Sequence, residues 1–167
     1  MRVHLTSFWF QKPSLKREEF EDAFYPKAFG GRARVELRFA IADGATEGVG
    51  SAAWARILVE AYCRSRRPRL DVPDFLLRAY RQWSSHKEHY LRQQQSSSGG
   101  VPWFVEEGLR VGAFSTLLGL RLYETGGGSE GEWEATAVGD SCLAHMRQDE
   151  LLRMWNENEF RRLPGLE

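Results

Sequence analysis

A chain of 167 residues, 42% hydrophobic and 28% charged, has the length and composition of one folded domain with a substantial core. Its 23 Lys and Arg balance 23 Asp and Glu, so no net field draws it to nucleic acid, and Arg64-Ser65-Arg66-Arg67-Pro68-Arg69 reads as a local basic turn. The two cysteines, Cys63 and Cys142, lie in no CxxC or Cys/His spacing, which argues against a disulfide scaffold or structural zinc and for a reducing, cytoplasmic setting.

Residues 1–12 lack the apolar stretch and small-residue cleavage site of a signal peptide, and no 18-residue apolar run occurs, so no membrane partner is expected. Residues 3–10 alternate loosely and carry Val, Phe and Trp, which predicts a first strand ended by Pro13. Residues 20–25 predict a second short extended piece. Residues 35–42 start in alternation and finish in the apolar run Phe39-Ala40-Ile41-Ala42, as a strand does when its far end enters a core. That strand delivers Asp43 to a sheet edge, where Gly44 lets the backbone turn sharply.

After Gly48-Val49-Gly50, Ser51 is expected to cap a helix whose apolar positions Trp54, Ile57, Leu58, Ala61 and Tyr62 fall on one face. A second helix opens at Asp71 or Pro73, buries Phe75, Leu76, Ala79, Tyr80 and Trp83, and frays by Gln95. The polar run at 93–101 is expected to be a flexible loop. Residues 113–123 and 133–146 predict antiparallel strands joined by a Gly/Ser tip at 125–131, and 149–155 a turn or a further element. The order predicts a single α+β domain over 1–167, with a layered sheet and helix packing.

Two acidic groups carry the chemistry. Glu21-Asp22 follows Phe20, and Asp43 ends its strand; brought together by a sheet, they offer the oxygen-only donors that Mg²⁺ or Mn²⁺ takes. The alternative for Glu21-Asp22 is a solvated turn, and Asp140 in Gly139-Asp140-Ser141 reads as a turn residue that satisfies backbone donors. His86, Glu88 and His89 do not have the His-Glu-x-x-His spacing and read as a solvated helix face. Ser141, near Cys142 and His145, lacks the strand-turn-helix elbow of a nucleophile. Trp54, Trp83, Trp103 and Trp133 read as core or interface aromatics, with Trp103-Phe104 placed to cover a cleft.

Four motifs in one order resemble the metal-dependent Ser/Thr protein phosphatases of the PPM or PP2C type, bacterial branch. Arg17 with Glu21-Asp22-Ala23 is similar to the family's Arg-x-x-x-Glu-Asp-Ala. Asp43-Gly44 resembles the Asp-Gly after its second core strand. Gly112-Ala113-Phe114-Ser115-Thr116 and Val138-Gly139-Asp140-Ser141 look like its Gly-[Ser/Ala]-x-[Ser/Thr]-Thr and hydrophobic-Gly-Asp-Ser segments.

The resemblance implies an α-β-β-α sandwich, here incomplete, and hydrolysis of phosphoserine or phosphothreonine in a phosphorylated protein by a metal-activated water. It implies two Mn²⁺ or Mg²⁺ ions held by Asp43, the Gly44 carbonyl, Glu21 and Asp22, and an Arg17 fork on the substrate phosphate. The family's Asp-Gly-x-Gly-Gly reads here Asp43-Gly44-Ala45-Thr46-Glu47-Gly48, which puts Thr46 or Glu47 beside substrate access. The family's two later metal-binding aspartates have no counterpart, since only Asp149 follows Asp140. The expectation is therefore a domain without its C-terminal part, self-associating through unpaired sheet edges. The competing expectation is a non-catalytic pseudophosphatase that binds a phosphoprotein.

Overall fold

The computed structural model describes residues 2–8, 10, 20–26, 29–32, 36–45, 49–65, 67, 70–98, 100–125 and 130–155. Among these residues, eight strands and three helices follow in the order β1 (Arg2–Leu5), β2 (Ala23–Tyr25), β3 (Phe29–Arg32), β4 (Glu36–Ala42), α1 (Ser51–Cys63), α2 (Val72–Ser98), α3 (Trp103–Val111), β5 (Leu117–Thr125), β6 (Glu130–Val138), β7 (Leu143–Arg147) and β8 (Glu150–Trp155). The chain is mixed α+β, and its sheets are antiparallel.

The central sheet has the order β2-β4-β5-β6, and β1-β3 and β7-β8 form separate two-stranded pairs. Strand β4 is central because the pleat of 36–42 gives both of its faces something to pack. Ala40 and Ala42 turn to α1 and join Leu58, Val59 and Tyr62, with Phe75 and Ala79 of α2 behind them. Small residues on the sheet let the helix approach closely: Gly119, paired with Ala40, lies against the Tyr62 ring. Burial of Tyr62, Phe75 and Val59 is nearly complete, each side chain stabilising the fold by about 1.5–3 kcal/mol.

The opposite face of the sheet is covered in part by the β7-β8 hairpin. Trp155 is buried there against Leu118, with Ala135, Ala137 and Leu143 around it, and stands edge-to-face on Trp133 with ring centres 5.0 Å apart. Leu5 of β1 and Leu143 flank a groove of about 160 Å³ on this face, floored by Phe39, Ile41, Leu118 and Leu120.

At the β4 end farthest from Asp43, Arg38 and Arg121 stand directly opposite each other. Their like charges are offset by Glu36, which bonds Arg38 at 2.7 Å and Arg121 at 3.0 Å, and by Glu134, 3.2 Å from Arg121. The buried Arg38 also lies over the Tyr62 ring and donates to the Arg67 carbonyl. Burial pushes Glu36 up, but the hydrogen bonds from Arg121 and Arg38 outweigh it and hold the carboxyl below its usual range.

The structure corrects several expectations. The first strand stops at Leu5 rather than running to residue 10. Ser51 does not cap α1: Gly50, at φ 86°, holds the cap position and makes no side-chain bond, while Ser51 begins the helix with its hydroxyl buried and without a partner among the described residues. Asp71 does open α2, accepting the Asp74 N–H at 3.1 Å and, through its carbonyl, the Phe75 N–H at 2.8 Å. Of the stripe expected on α2, Phe75, Ala79 and Trp83 are buried, whereas Leu76 and Tyr80 are exposed.

The run 93–98, expected as a loop, is the end of α2. Tyr90 and Leu91 anchor the preceding turn in a second core cluster, and Ser96 bonds back to the Arg92 carbonyl at 3.0 Å, so the polar segment continues an anchored helix. Helix α3 was not anticipated. Its nine residues bury only Val105 and Leu109, too short a stripe to stand out.

Candidate functional site

Strand β2 pairs with β4 so that Ala23 faces Ala42, and one step farther the same register sets Asp22 opposite Asp43. The sheet thus joins the two acidic segments at one end. Both carboxylates line a single cavity of about 350 Å³ together with Ser141; Phe8, Phe10, Phe20 and Phe24 form its apolar walls. Asp22 and Asp43 are exposed and Glu21 is half-buried, so all three carboxylates keep their hydration at little cost.

Gly44 is buried where three backbones meet. A Cβ there would lie 2.9 Å from the Glu21 carbonyl oxygen and equally close to the Ser51 carbonyl. The glycine is required by this close approach rather than by a left-handed turn. The loop from the end of β4 is thereby held against the lead-in to β2 and the first residue of α1.

On its other side the loop is tied to the segment before β5. Gly44 bridges Ser115, Ala45 N–H donates to the Phe114 carbonyl at 3.0 Å, and Thr116 N–H donates to the Asp43 carbonyl at 2.9 Å. Asp43 N–H donates to the Thr116 hydroxyl at 3.0 Å, and that hydroxyl lies 3.2 Å from the Ser141 hydroxyl. Gly139, at φ 94°, makes the turn after β6 and leaves room for the Thr116 methyl, which an added Cβ would meet at 2.7 Å. Residues 21–22, 43–44, 114–116 and 138–141, read separately in the sequence, therefore converge.

Among the described residues, no three His, Cys, Asp or Glu side chains cluster so as to hold a metal ion. What is present is a pair of carboxylates with carbonyl oxygens nearby. That donor set suits Mg²⁺ or Mn²⁺, since Mg²⁺ commonly takes one or two carboxylates and completes its shell with water and substrate phosphate. Arg17, Thr46 and Glu47 lie outside the described residues.

The other candidates take structural places. His86 stacks on Trp83 with ring centres 5.8 Å apart, and burial, then Arg56 and His89, lower its basicity. Glu88 pairs with Arg92 at 3.6 Å, and His145 stands edge-on to Trp133. Trp54 and Trp83 meet edge-to-face in the helical layer, whereas Trp103 and Phe104 are exposed. The exposed Cys142 donates weakly to the Asp140 carbonyl. Sequence reasoning assigned no role to the Thr116 and Ser141 hydroxyls; the signal was their place in two adjacent motifs, but which hydroxyl meets which backbone depends on strand register. No described helix is long and apolar enough to cross a membrane. No family model, curated protein or solved structure matches this chain.

Proposed function

We propose that this chain is a metal-dependent phosphoserine/phosphothreonine phosphatase domain of the PPM/PP2C type, acting on phosphorylated proteins. The observation that carries the reading is the convergence of the described parts of the four motif segments at one end of the central sheet, with Asp22, Asp43 and Ser141 lining one cavity. The family's sandwich is the finer reading of the fold: α1 on one face of the central sheet, the β7-β8 hairpin on the other.

In this reading Asp22 and Asp43 hold Mn²⁺ or Mg²⁺, with Glu21 and the Gly44 carbonyl in the supporting roles the resemblance gives them. The bound metal supplies an activated water at neutral pH and neutralises charge on the phosphoryl oxygens. The chain's own residues orient the site. The Asp43 backbone is fixed by Thr116, Gly44 is locked between two backbones, and the Ser141 hydroxyl faces the same cavity. Arg17 is the phosphate fork by resemblance, and the phenylalanines give the cavity an apolar lining beside the carboxylates.

A second reading, a phosphoprotein-binding module without turnover, is favoured by the absence of a third clustered ligand among the described residues. The deciding experiment is hydrolysis of a phosphothreonine peptide with and without Mn²⁺, using Asp43→Asn as control. Turnover that needs Mn²⁺ and is lost in Asp43→Asn supports the phosphatase. Peptide binding without turnover in folded protein supports the binding module.

A further inference from the structure

We propose that Thr116 is a positioning residue for the Asp43 carboxylate, acting with Ser141 as a paired hydroxyl clamp on the Asp43 backbone; what Asp43 is positioned to hold rests on the metal-phosphatase reading. The register explains why a hydroxyl is needed. Strands β4 and β5 pair Phe39 with Leu120 and Ile41 with Leu118, and the isolated bridge pairs Gly44 with Ser115. Asp43 therefore stands opposite Thr116 in the same register.

In a regular antiparallel hydrogen-bonded pair, the two residues exchange N–H to carbonyl bonds in both directions. Here only one of the two is made. Thr116 N–H reaches the Asp43 carbonyl at 2.9 Å, but Asp43 N–H goes to the Thr116 hydroxyl at 3.0 Å, while the Thr116 carbonyl accepts the Ser115 hydroxyl at 2.8 Å. The threonine side chain replaces a ladder carbonyl. Both polar backbone groups of Asp43 thus end on one residue, between the β4-β5 ladder and the Gly44–Ser115 bridge.

No described side chain bonds or ion-pairs with the Asp43 carboxylate itself. Among the described residues, its position is set through its backbone. The Thr116 hydroxyl has one proton and two lone pairs; with one lone pair given to Asp43 N–H, it still has capacity for the Ser141 hydroxyl 3.2 Å away. Gly139 leaves room for the Thr116 methyl. Ser141 also lines the cavity shared by Asp22 and Asp43, so the hydrogen-bond chain runs from the Asp43 backbone to a second lining residue.

The test compares Thr116→Val, which keeps the shape and removes the hydroxyl, with Thr116→Ser, which keeps the hydroxyl. Mn²⁺ affinity is read by calorimetry, and exchange of the Asp43 amide proton by NMR. Thr116→Val should weaken Mn²⁺ binding by about 10- to 100-fold, as loss of a ligand's supporting partner does, with Thr116→Ser within about threefold of wild type. Asp43 amide exchange should quicken about fivefold or more in Thr116→Val alone. Unchanged Mn²⁺ affinity in folded Thr116→Val overturns the proposal while leaving the phosphatase reading intact. Wild-type protein that binds no Mn²⁺ overturns the metal reading instead, and unchanged amide exchange in Thr116→Val then overturns the clamp by itself.

Discussion

Gly119 lies flat against the ring of Tyr62, so that any Cβ at this position would overlap the ring carbons. Tyr62 cannot easily yield, because it is buried and Arg38 covers its face. Gly119→Ala should therefore destabilise the protein by about 1–3 kcal/mol, the usual cost of overpacking. Urea unfolding checks this. A variant as stable as wild type would mean that the helix and sheet are not seated closely enough to exclude a methyl group.

The same layer sets the alkaline limit of stability. Burial raises the Tyr62 phenol from 10.0 to about 12 and the Cys63 thiol from 9.0 to about 12. Both folded-state values exceed the unfolded ones, so the native state retains protons that the unfolded chain releases. Stability is fully present below about pH 9 and falls as pH rises toward 12. Unfolding followed by fluorescence from pH 8 to 11 should show the loss begin near pH 9, and Cys63→Ser should delay its onset. At pH 8 only the exposed Cys142 should react rapidly with a thiol reagent.

Glu36 shields two arginines, and its own carboxyl is held below the usual range. Glu36→Gln leaves the buried Arg38 without its charged partner and should cost about 3 kcal/mol at pH 7. Because the folded pKa is depressed, this stabilisation is present above the unfolded value and is lost as pH falls through the folded one. The gap between wild type and variant should therefore narrow toward acid, measured by urea midpoints between pH 7 and 3.

Ser51 separates a sequence-based expectation from the structure directly. A serine capping α1 would lose about 0.5–2 kcal/mol on replacement by alanine. The Ser51 hydroxyl is instead buried with no partner among the described residues, so Ser51→Ala removes a desolvated polar group and should raise stability by about 1 kcal/mol. Thermal unfolding decides the sign.

Much of this architecture was legible in the chain because periodicity is local. The run ending in Phe39-Ala40-Ile41-Ala42 announced β4, and the spacing of Trp54, Leu58 and Tyr62 announced α1. What was not legible depends on partners distant in sequence. Nothing in Phe29–Arg32 says that it pairs with Arg2–Leu5, and the Gln/Ser run after Leu91 hides a helix held by burial upstream of it. The acidic segments were visible as motifs, and the joining of Asp22 to Asp43 followed from the expected sheet. The hydroxyl clamp did not, since it needs the register that sets Thr116 opposite Asp43.

The most direct measurement is anomalous diffraction from crystals of the protein soaked in Mn²⁺, with Asp43→Asn crystals treated alike. The account requires a manganese peak between Asp22 and Asp43 in the wild type and its loss in the variant. Well-ordered carboxylates with no peak between them, at a Mn²⁺ concentration that saturates known hard-cation sites, would contradict it.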